Sequence, residues 1–399
     1  MSPFSRRTLL KSAGLTALVA ATGRMAGSAE ATDGQTPRLQ WEPVGTAPIA
    51  TIASSNPHEA ELMFPSLLPL RALSGRATDP AWMLWGWHHD TNNTSPHLHA
   101  WTAEDVEGAF TKLPPIPRPA GDYISDDPTN PYTFGHFSSG DVVWDPVGQR
   151  LVSTPHSVHW RRPAQLDETP QDSFMMESTD GVNWQWLGGD ASPRLRCGDV
   201  TADDSNHTGY GRLLRDLDGR LQRVDGQYWW IYRGGHHAHN AQMYCTPLLL
   251  SATDIGGPWT KRGKAFDTAY QNTTLLGFDA FVLANDTPGV FYTVGSPEYA
   301  PLTAMYTQAA DGMTFTDPGV PLVLPSVPRQ VLPSVPGQVF GGGGCVVRHP
   351  GTHQQYLVQI LNNAKYSTDT TTTPPSAVAT VTSSDIWLYK AVVQTVPST

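Results

Sequence analysis

The stretch MMESTDGVNWQWLG (175–188) sets a short apolar strand, a small loop opened by Asp180 and a second strand built on tryptophan side by side. The phrase returns as HAWTAEDVEGAFTKL (99–113), LLSATDIGGPWTKRG (249–263) and MYTQAADGMTFTDPG (305–319), and in a weaker fifth copy as SSDIWLYKAVV (383–393). Asp105, Asp180, Asp254, Asp311 and Asp385 mark the five copies. Repetition at intervals of tens of residues, with strand patterning in every copy, is the signature of a propeller.

Two further strand-like segments precede each phrase. They are PSLLPLRAL and AWMLWGWHH, then GDVVWD and RLVSTPHS, GYGRLLRD and YWWIYRGG, FDAFVLAN and VFYTVGS, and finally CVVRHP and QYLVQIL. At four strands per blade the chain is an all-β, five-bladed β-propeller. The last blade lacks an outer strand of its own, and LQWEPVG (39–45) is expected to supply it, closing the ring and removing exposed sheet edges. Two stretches read as surface loops: the tandem octapeptide VLPSVPRQ–VLPSVPGQ (323–338) and the Thr-rich segment 367–382.

Composition agrees with this class. The chain has 36 Gly, 35 Pro, 13 Trp and 13 Tyr, so turns rich in Gly and Pro separate aromatic strands. The net charge of −10, with no basic cluster, argues against a nucleic-acid partner. Three cysteines, Cys197, Cys245 and Cys345, exclude a full disulfide framework and fit no zinc motif, leaving one bridge open. Residues 1–31 read as a twin-arginine export signal: Ser5-Arg6-Arg7-Thr8-Leu9-Leu10-Lys11, an apolar stretch too short to span a bilayer, and a small-residue cleavage region. The mature chain, 32–399, is then a single secreted propeller domain with no membrane segment.

In a propeller the first strand of each blade lines the central channel and the second runs antiparallel beside it. The start of the first and the end of the second therefore meet at one end of the channel. In the second blade His136 and His156 flank the turn Asp145–Gly148 symmetrically. Applied to every blade, the rule gathers His88, His89, Asp90, His136, His156, Tyr210, Arg233, His236, His237, Asp279, Glu298 and Asn362 at that mouth. In the third blade this requires a bulge around Asp218-Gly219. A convergent set of titratable groups at a channel mouth is the default site of a binding or catalytic protein. GGHHAHN (234–240) admits a metal ion on His237 and His239 with one of His88 or His136 added, although no clear carboxylate or thiolate partner accompanies them and no cofactor is required.

PAWMLWGWHHD, HLHAWTAEDVEGAF, GHFSSGDVVWDPVGQRLVSTPHS, MMESTDGVNWQW and FYTVGSPE resemble, in order, segments of the five-bladed propeller glycosidase superfamily, which includes arabinanase-like and fructosidase-like enzymes. The resemblance implies cleavage of glycosidic bonds in a polysaccharide or oligosaccharide by carboxylates around the mouth. Asp90, Asp279 and Glu298 would be those carboxylates, with His88, His89, His236, His237 and Asn362 holding substrate. The first inner strand carries no Asp, and Glu59 and Glu61 are the carboxylates nearest that position. A second resemblance, of His136, His156, Tyr210 and Arg233 to the catalytic set of ulvan-lyase-type propellers, implies β-elimination from a uronic-acid polymer instead. There a His or Tyr takes the proton and the Arg neutralises the carboxylate. A non-catalytic sugar-binding propeller is the third alternative, because a fold does not fix a function.

Overall fold

The computed structural model describes residues 35–53, 61–88, 97–122, 124, 133–160, 171–198, 203–205, 207–237, 243–266, 270–271, 275–294, 303–315, 320–321, 339–369 and 376–397. The expected export signal, 1–31, and the tandem octapeptide lie outside them. Among the described residues the sole helix is Leu70–Ser74, ended by Gly75 in the left-handed conformation, and no helix is long and apolar enough to cross a membrane.

Five antiparallel blades follow one another along the chain, the third and fourth joined into one sheet where their inner strands pair in parallel, Leu214 opposite Phe281 and Arg215 opposite Val282. The first blade runs Leu62–Leu68, Trp82–His88, His97–Ala103 and Thr111–Lys112 from the centre outward. The second runs Val142–Asp145, Arg150–Ser153, Met176–Ser178 and Trp184–Trp186. The third runs His207–Arg215, Tyr228–His237, Met243–Ala252 and Thr260–Lys264, and the fourth Leu275–Ala284, Thr287–Val294, Thr303–Asp311 and Thr314–Phe315. The fifth runs Val339–Arg348, Gln355–Asp369 and Ser376–Pro397. Its outermost strand is Gln35–Pro43, with Trp41 opposite Ala391, so strands from the two ends of the chain share a sheet.

The core confirms the ring independently of strand pairing. Five apolar clusters form, each filled from two neighbouring sheets. Trp85 and Trp87 meet Trp144 and Phe174 between the first and second blades. Val143 and Met175 meet Trp230 and Tyr232 between the second and third. Ile231 and Leu249 meet Phe281 and Tyr292 next, and Val282 and Phe291 meet Val346 and Trp387 after that. Val347, Val358 and Ile386 then meet Leu67 and Leu84, returning to the first blade. Alternation along each strand sends one apolar set to each neighbour, which is why these strands read as nearly continuous apolar runs.

The repeated aspartates are turn-formers. Asp105, Asp180 and Asp254 accept backbone N–H groups two residues on, from Glu107, Val182 and Gly256, at 2.7–3.0 Å. Asp385 departs from the pattern. It lies inside the strand Ser376–Pro397, opposite Leu361, and accepts from Thr51 Oγ1 at 2.9 Å. The expected Thr-rich loop is also corrected: Ala364–Asp369 pairs with Ser376–Val381, so only 370–375 of that stretch falls outside paired strands and outside the described residues. Hairpin pairing continues there because Val378, Thr380 and Val381 favour a strand despite the polar composition.

Candidate functional site

Every inner strand is irregular at the same level of the channel. In the first blade Phe64 and Pro65 lie opposite the single residue Gly86, between the pairs Met63–Trp87 and Ser66–Trp85. In the third, Tyr210 and Gly211 lie between the pairs Gly209–Arg233 and Arg212–Ile231. Asp279 is the extra residue between Phe278 and Ala280 in the fourth, and Gly342-Gly343 interrupt the fifth. The second blade breaks at Ser139–Asp141, between Thr133–Ser138 and Val142–Asp145. Phe64, Ser139, Tyr210 and Gly343 adopt left-handed φ of +48°, +60°, +52° and +83°. For Phe and Tyr such backbone is strained, and bulges of this kind re-aim side chains beside active sites. The third-blade bulge therefore lies at Gly209–Arg212. Asp216–Gly219, where the sequence suggested it, is a tight turn closed by Gly219 N–H to Asp216 O at 3.1 Å.

The bulges meet on the axis. Phe64 and Tyr210 rings are 5.0 Å apart, and a Cβ on Gly343 would come within 2.6 Å of the Phe64 ring, so the fifth blade needs glycine there. Beneath them Arg212 is fully buried, with its guanidinium 5.1 Å from the Phe64 ring centre. It donates to the carbonyls of Asp279, Gly140 and Gly344 at 3.3, 3.2 and 3.5 Å. One side chain of the third blade thus touches all four others. Asp141 completes this layer, accepting from Leu213 N–H at 3.2 Å and Ser66 Oγ at 3.5 Å, 4.0 Å from Arg212.

Above that layer, toward the strand ends, lies a compact polar cluster. The Tyr210 ring is 4.7 Å from His156 and 5.2 Å from His207, stacked on the latter at 12°, and the two imidazoles are 6.0 Å apart. The Arg233 guanidinium carbon is 4.7 Å from the Tyr210 ring centre, and Arg233 Nε donates to Cys245 Sγ at 2.8 Å. Glycine makes the room: a Cβ on Gly209 would lie 3.0 Å from the His156 ring. All five side chains are buried. Burial pushes the Tyr210 phenol up, with the Arg233 charge opposing and Cys245 and Glu61 reinforcing the rise. Burial alone would lower Arg233, but Cys245 and Tyr210 outweigh it and keep the guanidinium charged. The arrangement offers a protonated phenol, two imidazoles and a fixed cation in one place, with the Glu61 carboxylate in charge range.

The predicted residues divide clearly. His156, Tyr210 and Arg233 come together. His136 lies on the strand paired with His156, but the register sets His156 opposite Ser138, and the His136 side chain is outside the described part, as are those of His236 and His237 at the end of Tyr228–His237. His89, Asp90 and Glu298 lie outside the described residues. His88 ends its strand opposite Leu62 but is buried within the first blade, 5.9 Å from His99. Asn362 donates to Leu62 O at 3.1 Å and accepts from Ser384, whose Oγ also takes Leu62 N–H at 2.9 Å, so it forms a buried tie between the fifth and first blades. Asp279 reaches the axis, where its Oδ1 accepts Gly344 N–H at 2.6 Å. Among the described residues no group of three or more His, Cys, Asp or Glu is arranged to hold a metal, and Cys197, Cys245 and Cys345 form no disulfide. His207 is the member that the hairpin rule did not select.

No protein-family model matches the chain, and no curated protein matches it. Solved structures do. The BT0996–RGII complex is similar at a TM-score of 0.54 with 12% identity, over 86% of this chain and 92% of that protein. Lower-scoring likenesses include a thermostable family-43 glycoside hydrolase, at 0.49 and 9% over 87% and 97%. Another is Zg3597, a family 117 glycoside hydrolase of the marine bacterium Zobellia galactanivorans, at 0.46 and 12% over 89% and 90%. At this identity the first likeness establishes a shared propeller fold.

Proposed function

We propose that the chain is a carbohydrate-active enzyme that cleaves glycosidic bonds at the mouth of its propeller, by hydrolysis, after export through the twin-arginine route. The observation that carries this is the buried cluster of Tyr210, His156, His207 and Arg233, within charge range of Glu61, gathered around the strained inner strand of the third blade. Hydrolysis needs a carboxylate on one face of the sugar and a proton donor at the leaving oxygen. Glu61, immediately before the first inner strand, fills the position without an Asp in the sequence. Asp90 and Glu298 follow the second strands of their blades and supply the remaining carboxylates. Asp279, on the fourth inner strand with its Oδ1 holding Gly344 N–H, is the further candidate. His156, His207 and Arg233 orient the sugar.

One observation favours a second reading, β-elimination from a uronic-acid polymer. Arg233 lies against Tyr210 beside His156, the grouping that places a cation by a carboxylate while an imidazole takes the neighbouring proton. A phenol raised by burial stays protonated at neutral pH and returns a proton to the leaving oxygen.

A panel of neutral and uronic polysaccharides separates the readings. Hydrolysis yields new reducing ends without ultraviolet absorbance, and elimination yields an absorbing unsaturated uronide. Tyr210→Phe is expected to abolish elimination, and full retention of an absorbing product in that variant would exclude Tyr210 as its proton carrier. Binding without either product replaces the enzymatic reading with a sugar-binding propeller.

A further inference from the structure

Arg233 and Gly235 are two apart on one strand and share a face. Cys245 lies directly opposite Gly235 on the next strand, so it shares that face too. With no side chain at 235, a lane stays open along which the Arg233 guanidinium crosses diagonally to the sulfur, where Nε reaches Sγ at 2.8 Å. Gly209, opposite Arg233 on the other side, clears the second flank. Cys245 is fully buried and Arg233 nearly so. Arginine has long, rotamer-rich geometry, and fixing it requires a partner.

We propose that Cys245 is a positioning residue, whose sulfur fixes the Arg233 guanidinium against the Tyr210 ring and so sets where the cation faces the sugar. This rests on reading the Tyr210 cluster as the reaction site. Cys245 touches no substrate in this role and acts through Arg233.

The test uses the whole mature protein labelled with 15N-arginine, the Arg233 Nε–H signal being identified by its loss in Arg233→Lys. Loss of one hydrogen-bond acceptor predicts solvent exchange of that proton about tenfold faster in Cys245→Ala than in wild type, with most of the protection regained in Cys245→Ser, which keeps an acceptor. Polygalacturonate is the activity probe, with arabinan as its neutral counterpart. On whichever is cleaved, kcat is expected to fall roughly tenfold in Cys245→Ala with KM unchanged, and to recover in Cys245→Ser. Equal exchange in wild type and Cys245→Ala overturns the tether. Faster exchange with unchanged kcat overturns its part in the reaction. Should Cys245→Ala fail to fold, the wild-type and Cys245→Ser pair decides: an Nε–H unprotected in both sinks the proposal. A wild-type protein inert on both polymers counts against the enzymatic reading, while the exchange rates still decide the contact.

Discussion

Arg212 and Arg233 stand on adjacent strands of the third blade, both buried, and are held in opposite ways. Arg212 is bound by three main-chain carbonyls from three other blades. Arg233 rests against a thiol and an aromatic ring. Main-chain carbonyls cannot move without moving a strand, so the first arginine belongs to the architecture. A sulfur and a ring are soft neighbours that can yield where a backbone carbonyl cannot. Two identical side chains a few residues apart in the sheet thus differ in the partners they keep, and the proposed function gives the softly held one its role.

The largest expected effect tests the structural half. Arg212→Met leaves three buried carbonyls and Asp141 without their cation, a loss of about 3–5 kcal/mol. Calorimetry should register a fall in midpoint of roughly 10 °C, and an unchanged midpoint would remove Arg212 from the centre of the ring. Arg233→Met should reverse the pattern. Activity on the cleaved polymer should drop about a hundredfold, while the midpoint moves far less than in Arg212→Met. If the two variants lose stability equally, the contrast is wrong.

Gly209→Ala sharpens the functional half, because the added methyl meets the His156 ring at 3.0 Å and must displace it. Activity is expected to fall about tenfold, with a stability cost of order 1 kcal/mol. Wild-type kinetics in this variant would show that His156 can move freely. The smallest effect lies outside both clusters. Burial alone would raise the Asp218 carboxyl, but the Arg348 and Arg220 contacts outweigh it and hold the group below its ordinary range. Arg348 Nε and Nη2 reach its two oxygens at 2.7 and 2.9 Å, joining the third blade to the fifth. A carboxyl lowered in the folded state stabilises fully above its unfolded value and loses that contribution as pH falls through the folded one. Midpoints measured from about pH 5 downward should therefore converge for wild type and Asp218→Asn below about pH 4, and a constant difference across that range would contradict the linkage.

Much of the ring was legible because its signals are local. Asp105, Asp180 and Asp254 must be turn residues to bond the backbone two positions on, and the sequence repeats them for that reason. The hairpin rule brought His156, Tyr210 and Arg233 to one end because antiparallel pairing leaves little choice. His207 escaped it. Three residues from Tyr210, it should face the other way on a regular strand, and only the bulge turns Tyr210 back to stack on it. The glycines flanking Tyr210, at 209 and 211, were the available sign of that bulge. At Phe64 the sign was the proline that follows it, since a proline inside an inner strand marks a bulge. Asn362 was placed at the right level in its strand and still faces a blade seam, since register fixes height and not direction.

The sheet shared by Gln35–Pro43 and Ser376–Pro397 has a consequence for biosynthesis. Gln35–Pro43 leaves the ribosome long before Ser376–Pro397, the strand it pairs with. Until synthesis ends, the ring stays open with a bare sheet edge at each side of the gap, the condition in which β proteins aggregate or swap. A chain broken off before Ser376 leaves Gln35–Pro43 without that partner, so closure of this sheet reports that both strands have been made.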